Sequence, residues 1–419
     1  MFAAFFARPS HRKSGKLGRF GGVAVTVANE QATRYVLQTR MLSPSRHVFT
    51  GATGLVGSAT VLEILATDPV ARVLGLVRPG NEGARPRFVA TLERAARLYG
   101  LGDSLDQAIH SRCEALAADV HELRCGVDVV PAEWSGAEMW HCAAALQFHD
   151  RFRAKVMRTN VDGTANVLGL AKELGVGVLN FVSTAYVAGT RTGLIREEPV
   201  LDNDGFSTNN HYERSKVIAE RMVRESGVPA RILRPSIVIG HSRTYGTLNF
   251  NGLYGFMRGV WKFRRMMART QADLMNTLEV RLVADPDGQL DLIPVDFVAR
   301  DAVSLSRAGA DPGVYHLASV ARCPTQRTLG LIFEALGLRW PTFVSDREEL
   351  TWIDRKLDAG IRVYNAYVVG YKHFDRSATD RWLERPAGAD YVLSDEKLLG
   401  FYQWYIDQDL AHRTRKVTE

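Results

Sequence analysis

Cysteine is scarce. There are four in 419 residues, Cys113, Cys125, Cys142 and Cys323. No two stand as C-x-x-C, and no histidine cluster completes a zinc spacing, so the pattern excludes a disulfide scaffold and a zinc module. Reduced, mostly buried thiols in a cytoplasmic protein are the expectation. No run approaches the ~18 uncharged apolar residues of a transmembrane helix. There is no repeat period, no long low-complexity tract and no nucleic-acid-binding motif.

Acid is almost missing from the start of the chain. Residues 1–46 carry Arg8, Arg12, Lys13, Lys16, Arg19, Arg34, Arg40 and Arg46 against Glu30 alone, which accounts for the whole formal excess of +7. The remainder is neutral, so net charge does not point the folded part toward an acidic partner. The apolar opening is broken at Arg8 and no basic residue precedes it, unlike a secretory signal. Two origins fit this segment: a transit peptide, or an upstream extension with Met41 as the natural start. We expect the second, with residues 1–45 forming a basic extension.

What the chain does have is alternation. Arg46–Thr50, Val73–Val77, Ala115–Ala118, Glu138–Cys142, Val178–Val182 and Arg231–Leu233 read as short strands. Val56–Ala66, Arg87–Tyr99, Arg151–Leu174 and Asn210–Arg224 read as helices between them. This predicts an α/β protein with a Rossmann-type doubly wound parallel sheet. The sheet domain spans 46–240. Residues 241–340 form a substrate-binding insertion interleaved with a last strand at Val314–Leu317. Residues 341–419 form a small, mostly helical C-terminal subdomain with exposed-looking Trp and Tyr.

The first strand runs into T-G-A-T-G-L-V-G, with glycines at 51, 54 and 57. Glycine is required where the chain turns sharply off a strand, where backbone meets a pyrophosphate, and where helix packs closely on sheet. The following helix start offers free N–H groups to phosphate. A dinucleotide is the expected ligand. The second strand ends at Val77-Arg78, where an acid would favour NAD and an arginine favours the 2′-phosphate of NADP. Arg78, with Arg87, therefore argues for NADPH. Asp119, after the third strand, is placed to contact adenine, or to cap a helix.

Tyr212 and Lys216 are four residues apart on a predicted helix, so they share one face. A phenol near pKa 10 is a poor acid–base group at pH 7, and a neighbouring ammonium is expected to lower that value. Ser183-Thr184 ends the strand Val178–Val182, at the sheet edge where ligands bind. A hydroxyl there can hold a substrate carbonyl while Tyr212 protonates its oxygen. Cys142 lies near the same site, but no base is recognisable beside it, which argues against acyl transfer to sulfur.

Residues 46 to about 320 resemble the extended short-chain dehydrogenases/reductases, and more closely their thioester-reductase and fatty acyl-CoA reductase (male-sterility-type) branch. The resemblance rests on H-V-F-T-G-A-T-G-L-V-G-S, L-G-L-V-R, H-C-A-A, N-V-D-G-T-A-N-V-L, F-V-S-T-A-Y-V-A-G and R-P-S-I-V-I-G. It implies Thr184, Tyr212 and Lys216 as catalytic residues, with Asn160 beside them. It implies cofactor contacts at Gly51, Thr53, Gly54, Leu55, Val56, Gly57, Arg78, Arg87, Asp119, Val120, Ala143, Ala144, Ser183, Tyr212, Lys216, Pro235 and Ser236. Residues 372–407 resemble the C-terminal part of fatty acyl-CoA reductases more weakly. The long basic N-terminus departs from the branch, as does the lack of a C-terminal hydrophobic anchor.

The resulting expectation is NADPH-dependent reduction of an acyl thioester, on coenzyme A or a carrier protein, to aldehyde or onward to alcohol. Hydride chemistry belongs to the cofactor, so no metal is expected. Arg258, Lys262, Arg265 and Arg269 recur as one helical stripe beside Met257, Val260 and Trp261. That stripe fits coenzyme A phosphates, an acidic carrier protein, a peripheral membrane contact, or simply a solvated face. Two rivals stay open. One is an extended short-chain dehydrogenase or epimerase acting on a nucleotide sugar or sterol-like alcohol. The other is a non-enzymatic NADP sensor, against which the intact Thr184, Tyr212 and Lys216 argue.

Overall fold

A computed structural model describes residues 45–201, 207–270 and 278–418. The N-terminal extension, apart from Ser45, lies outside these residues. β1 (Arg46–Thr50) leads into α1 (Leu55–Thr67), β2 (Arg72–Val77), α2 (Ala84–Leu98), α3 (Gly102–Arg112), β3 (Cys113–Ala117) and β4 (Glu138–His141). Next come α4 (Arg153–Met157), a π-helical turn (Arg158–Asp162), α5 (Gly163–Glu173), β5 (Val178–Val182), α6 (His211–Glu225) and β6 (Ala230–Pro235). Then follow β7 (Ile237–Ile239), α7 (Leu253–Thr270), β8 (Leu292–Pro294), α8 (Val295–Arg307) and β9 (Gly313–Leu317). The chain continues through α9 (Thr325–Ala335) and α10 (Asn365–Val368) to α11 (Asp395–Thr418).

Seven strands form one parallel sheet in the order β9-β6-β5-β4-β1-β2-β3. Strand residues alternate between two cores, as a period of two demands. Phe49, Val73, Trp140 and Leu233 face the core shared with α1, α2 and α8. Val48, Leu74, Met139 and Ile232 face the core shared with α5 and α6. The sheet is therefore covered on both sides, and its short strands are apolar on both faces. Because β1 is flanked by β2 on one side and by β4 on the other, the order in which strands are added reverses between β1 and β4. The carboxyl ends of these two strands, Thr50 and His141 in register, open the crevice where such sheets bind ligands.

The sequence reading of one continuous helix over 151–174 is interrupted by the π-helical turn. It contains the buried Asn160, and such single turns recur at functional sites. The helix α3 was not anticipated, since only Leu105 and Ile109 give it a buried edge. A third core joins α7, α9 and α11. Tyr402 and Tyr405 lie in it, so these two are buried rather than exposed, while Trp352 and Tyr371 do face solvent. Among the described residues no helix is long and apolar enough to cross a membrane.

Candidate active site

The turn after β1 is built on two glycines. Gly51 has φ +72°, and a Cβ there would run into the backbone of Cys142 and Ala143. A Cβ on Gly57 would strike the carbonyl of Gly51. Gly54 precedes α1 without any side-chain cap, and the first helical bond is Ser58 N–H to Gly54 O. The N–H groups of the first turn therefore point outward with no internal acceptor. Bare backbone, a helix start and excluded side chains together fit a diphosphate.

One cavity gathers much of the sequence-derived set. Gly54, Leu55, Val56, Gly57, Ala144, Ser183, Thr184, Tyr212, Lys216, Pro235 and Ser236 all line it. Gly51, Thr53 and Ala143 belong to the turn and the facing backbone but not to the lining. Arg78 after β2, Arg87 in α2, and Asp119 and Val120 after β3 also stand outside it. There the Arg87 guanidinium donates to the Arg78 carbonyl at 2.6 Å, which draws the two arginines together. Asp119 is engaged locally, accepting from His121 N–H at 3.1 Å, and Val120 O accepts from Asn166 at 2.9 Å.

α6 carries Tyr212 and Lys216, and its start is firmly fixed. The Asn210 side chain caps Glu213 N–H at 3.0 Å. Glu213 in turn accepts from Asn209 N–H at 2.7 Å. Further along, Ser215 Oγ donates to Tyr212 O at 2.7 Å and accepts from Asn160 Nδ2 at 2.8 Å. Asn160 also bonds both backbone groups of Ala145. The π-helical turn thus ties the loop after β4 to the helix that bears the tyrosine.

Within the cavity, Thr184 and Tyr212 both line the wall, and Thr184 Oγ1 accepts from Tyr186 N–H at 3.2 Å. Lys216 Nζ donates to Val182 O at 2.7 Å and sits 4.2 Å from the centre of the Phe181 ring. Burial lowers its pKa to about 8. The expected lowering of the Tyr212 pKa is not observed. Burial pushes this phenol upward, outweighing the opposite effect of the Thr184 hydroxyl, while the lysine is directed at the β5 carbonyl. Both effects keep the phenol protonated. Ser183 Oγ is buried in the cavity wall without a partner. An orphaned hydroxyl beside free backbone N–H groups marks room for a polar ligand.

Cys142 also lines the cavity, and burial holds its thiol up at about 12. The preceding His141 cannot serve it as a base. Its two ring nitrogens lie 2.7 Å from Thr50 Oγ1 and 3.1 Å from Thr164 Oγ1, and burial lowers its pKa to about 3. Phe256 lies in the 241–340 region expected to bind substrate, but other lining residues escaped sequence reading: Phe148, Tyr186, Tyr364 and Tyr367. Tyr186 sits two residues after Thr184, so proximity in sequence would have found it. Nothing local marks the other three, which converge only in the tertiary fold.

On the outer side of α7, Arg258, Lys262 and Arg269 are exposed, and Arg265 lies 4.7 Å over the Trp261 ring. Met257 and Val260 are fully buried on the opposite side. The basic stripe is thus real and keeps Trp261 beside it, while Met257 and Val260 lie across the body of the helix.

Comparison with known proteins agrees with this geometry. The family described as male sterility protein, an NAD-binding family, matches residues 49–302. One of the linear gramicidin synthase proteins of Brevibacillus parabrevis is 28% identical over 270 residues, 62% of this chain and 5% of that protein. Fatty acyl-CoA reductase 2, chloroplastic, of Arabidopsis thaliana is 22% identical over 366 residues, 71% of this chain and 56% of that protein. The chain therefore spans a small part of the first relative and about half of the second. The crystal structure of the terminal R domain from the myxalamid PKS-NRPS biosynthetic pathway superposes with a TM-score of 0.64 at 24% identity. That match covers 89% of this chain and 92% of the domain, and it is a likeness of fold.

Proposed function

The chain belongs to the NAD-binding male sterility protein family, and from that premise we propose that it reduces an acyl thioester with NADPH. One observation carries the proposal: the glycine turn, the Ser183-Thr184 hydroxyls and the Tyr212/Lys216 pair all face a single cavity. Relatives named as a fatty acyl-CoA reductase and as a linear gramicidin synthase support a thioester substrate. Arg78 at the end of β2, with Arg87 of α2 bonded to its carbonyl, supports the 2′-phosphate of NADP over NAD.

Bound nicotinamide supplies the hydride. The chain's own residues do the rest. Thr184 and Tyr212 direct their hydroxyls at the thioester carbonyl oxygen, and Tyr212 passes its proton to that oxygen as charge develops. Fixed donors of this kind, in a site shielded from water, lower such barriers most. The hemithioacetal then breaks its C–S bond, its hydroxyl proton returns to the tyrosine oxygen, and aldehyde and thiolate leave, the thiolate taking a proton from solvent. In sum, thioester, NADPH and a proton give aldehyde, thiol and NADP⁺. Lys216 holds Val182 O and keeps a positive charge beside the cavity. Ser183 and the N–H groups of the α1 start are the groups that would hold the cofactor.

The test is NADPH consumption against a panel of coenzyme A thioesters, with aldehyde and alcohol both quantified. Aldehyde or alcohol in proportion to NADPH is expected. Turnover with no thioester, but with a nucleotide sugar or sterol-like alcohol, would replace this reading. The exposed Arg258 and Lys262 suit the phosphates of coenzyme A. Reversing both charges should raise KM for a coenzyme A thioester severalfold, and an unchanged KM would remove that docking role.

A further inference from the structure

We propose that the acyl group taken by this site is a planar aryl group held close to the thioester carbonyl, rather than a long saturated chain. This rests on the thioester reading above. Six aromatic side chains line the one cavity: Phe148, Tyr186, Tyr212, Phe256, Tyr364 and Tyr367. Only Tyr212 is needed for the chemistry.

The rings form a continuous set that starts at the reacting phenol. Phe148 is the hub. Its ring centre lies 5.9 Å from Tyr212, 5.7 Å from Tyr364 and 5.4 Å from Tyr367. Tyr367 continues to Tyr186 at 4.8 Å, and Tyr364 to Phe256 at 6.3 Å. All but the Phe148–Tyr367 contact are edge-to-face, the arrangement that ring quadrupoles favour.

The walls are also fixed. Tyr367 OH donates to Glu213 Oε1 at 2.8 Å and accepts from Asn210 Nδ2 at 2.8 Å, so it is bolted to the start of α6. Tyr364 is seated by a missing side chain, because any Cβ at Gly255 of α7 would overlap its hydroxyl. Leu146, Leu253, Leu290 and Leu329 also line the cavity and offer apolar surface to any acyl group. The preference is therefore set by the rings that adjoin Tyr212, whose defined faces and edges favour a rigid ring as guest. Each well-formed aromatic pair adds to affinity beyond the area it buries. Two such pairs are worth about tenfold in selectivity, or ~1.4 kcal/mol.

The experiment compares coenzyme A thioesters of equal carbon number, 3-phenylpropanoyl and nonanoyl, with the full chain and NADPH. We expect kcat/KM at least about tenfold higher for the aryl thioester. Phe148→Leu and Tyr364→Leu keep apolar bulk but remove the ring, and each should bring the ratio toward one. Gly255→Ala, which displaces the Tyr364 ring without touching the lining chemically, should do the same and covers the case where a leucine variant misfolds. Nonanoyl reduction equal to or faster than aryl reduction would overturn the proposal while leaving the thioester reading intact. An aryl preference that survives all three variants would also overturn it. Reduction of neither thioester would sink both.

Discussion

Replacing Lys216 by methionine should change how stability depends on pH. The lysine is 2% exposed and its pKa falls from 10.5 to about 8, chiefly through burial and partly opposed by Glu220. At about 1.4 kcal/mol per pH unit, that shift amounts to ~3 kcal/mol of penalty on the charged, folded form. Below pH 8 both folded and unfolded chains hold the proton, and the folded protein bears the full penalty. Between pH 8 and 10.5 the unfolded chain binds a proton that the folded chain has released, so this site's contribution rises with pH. Above 10.5 both are neutral and the penalty is gone. Lys216→Met lacks the site altogether. It also loses the bond to Val182 O, worth about 1 kcal/mol, but that offset does not vary with pH. Urea unfolding of both proteins without cofactor, at pH 7, 8, 9 and 10, should show wild type gaining on the variant by up to ~3 kcal/mol across the series. Parallel stability curves would refute the reasoning, because they would mean that Lys216 does not titrate differently in the folded state.

Other outcomes follow from the same coordinates. Glu220→Ala leaves the buried guanidinium of Arg234 without the carboxylate it bonds at 2.9 and 2.6 Å, and should cost ~3–5 kcal/mol by urea unfolding. The double change Glu220→Leu with Arg234→Met should lie much closer to wild type, and a single-variant loss under ~1 kcal/mol would contradict this. Tyr212→Phe should lower kcat by ~10²–10⁴ while NADPH affinity, followed by fluorescence titration, stays within about twofold; near-normal turnover would remove the proton-donor role. Arg78→Ala should raise KM for NADPH but not for NADH in initial-rate assays, and equal effects on both would remove the 2′-phosphate contact.

Local signals were strong where chemistry demands local geometry. The turn after β1, the Tyr212/Lys216 spacing and the hydroxyls after β5 all sit in short segments whose backbone form is set by their own residues. The strands were legible because apolar runs bounded by polar turns can hardly be anything else in a two-faced sheet. Two kinds of feature were hidden. One is electrostatic: the side-by-side placement of Tyr212 and Lys216 suggested a lowered phenol pKa, but burial of both and the pull of Val182 O decide otherwise. The other is convergence: Phe148, Tyr364 and Tyr367 come from two distant segments, and no periodicity marks them. The π-helical turn was equally invisible, since inserting one residue into a helix leaves no trace in an apolar pattern.

The bond from Tyr367 to Glu213 has a practical consequence for anyone dissecting this protein. The stretch matched by the family ends at residue 302, well before Tyr364 and Tyr367. A fragment trimmed to that stretch would lose the first residues of β1, the end of α8 and the whole of β9, so the parallel sheet itself would be cut at both margins. It would also leave the chamber unwalled on the side of Tyr364 and Tyr367, with Glu213 stripped of a ligand. Boundaries drawn where the family match stops therefore divide both layers of the molecule, and any useful dissection has to keep the downstream helices with the nucleotide turn.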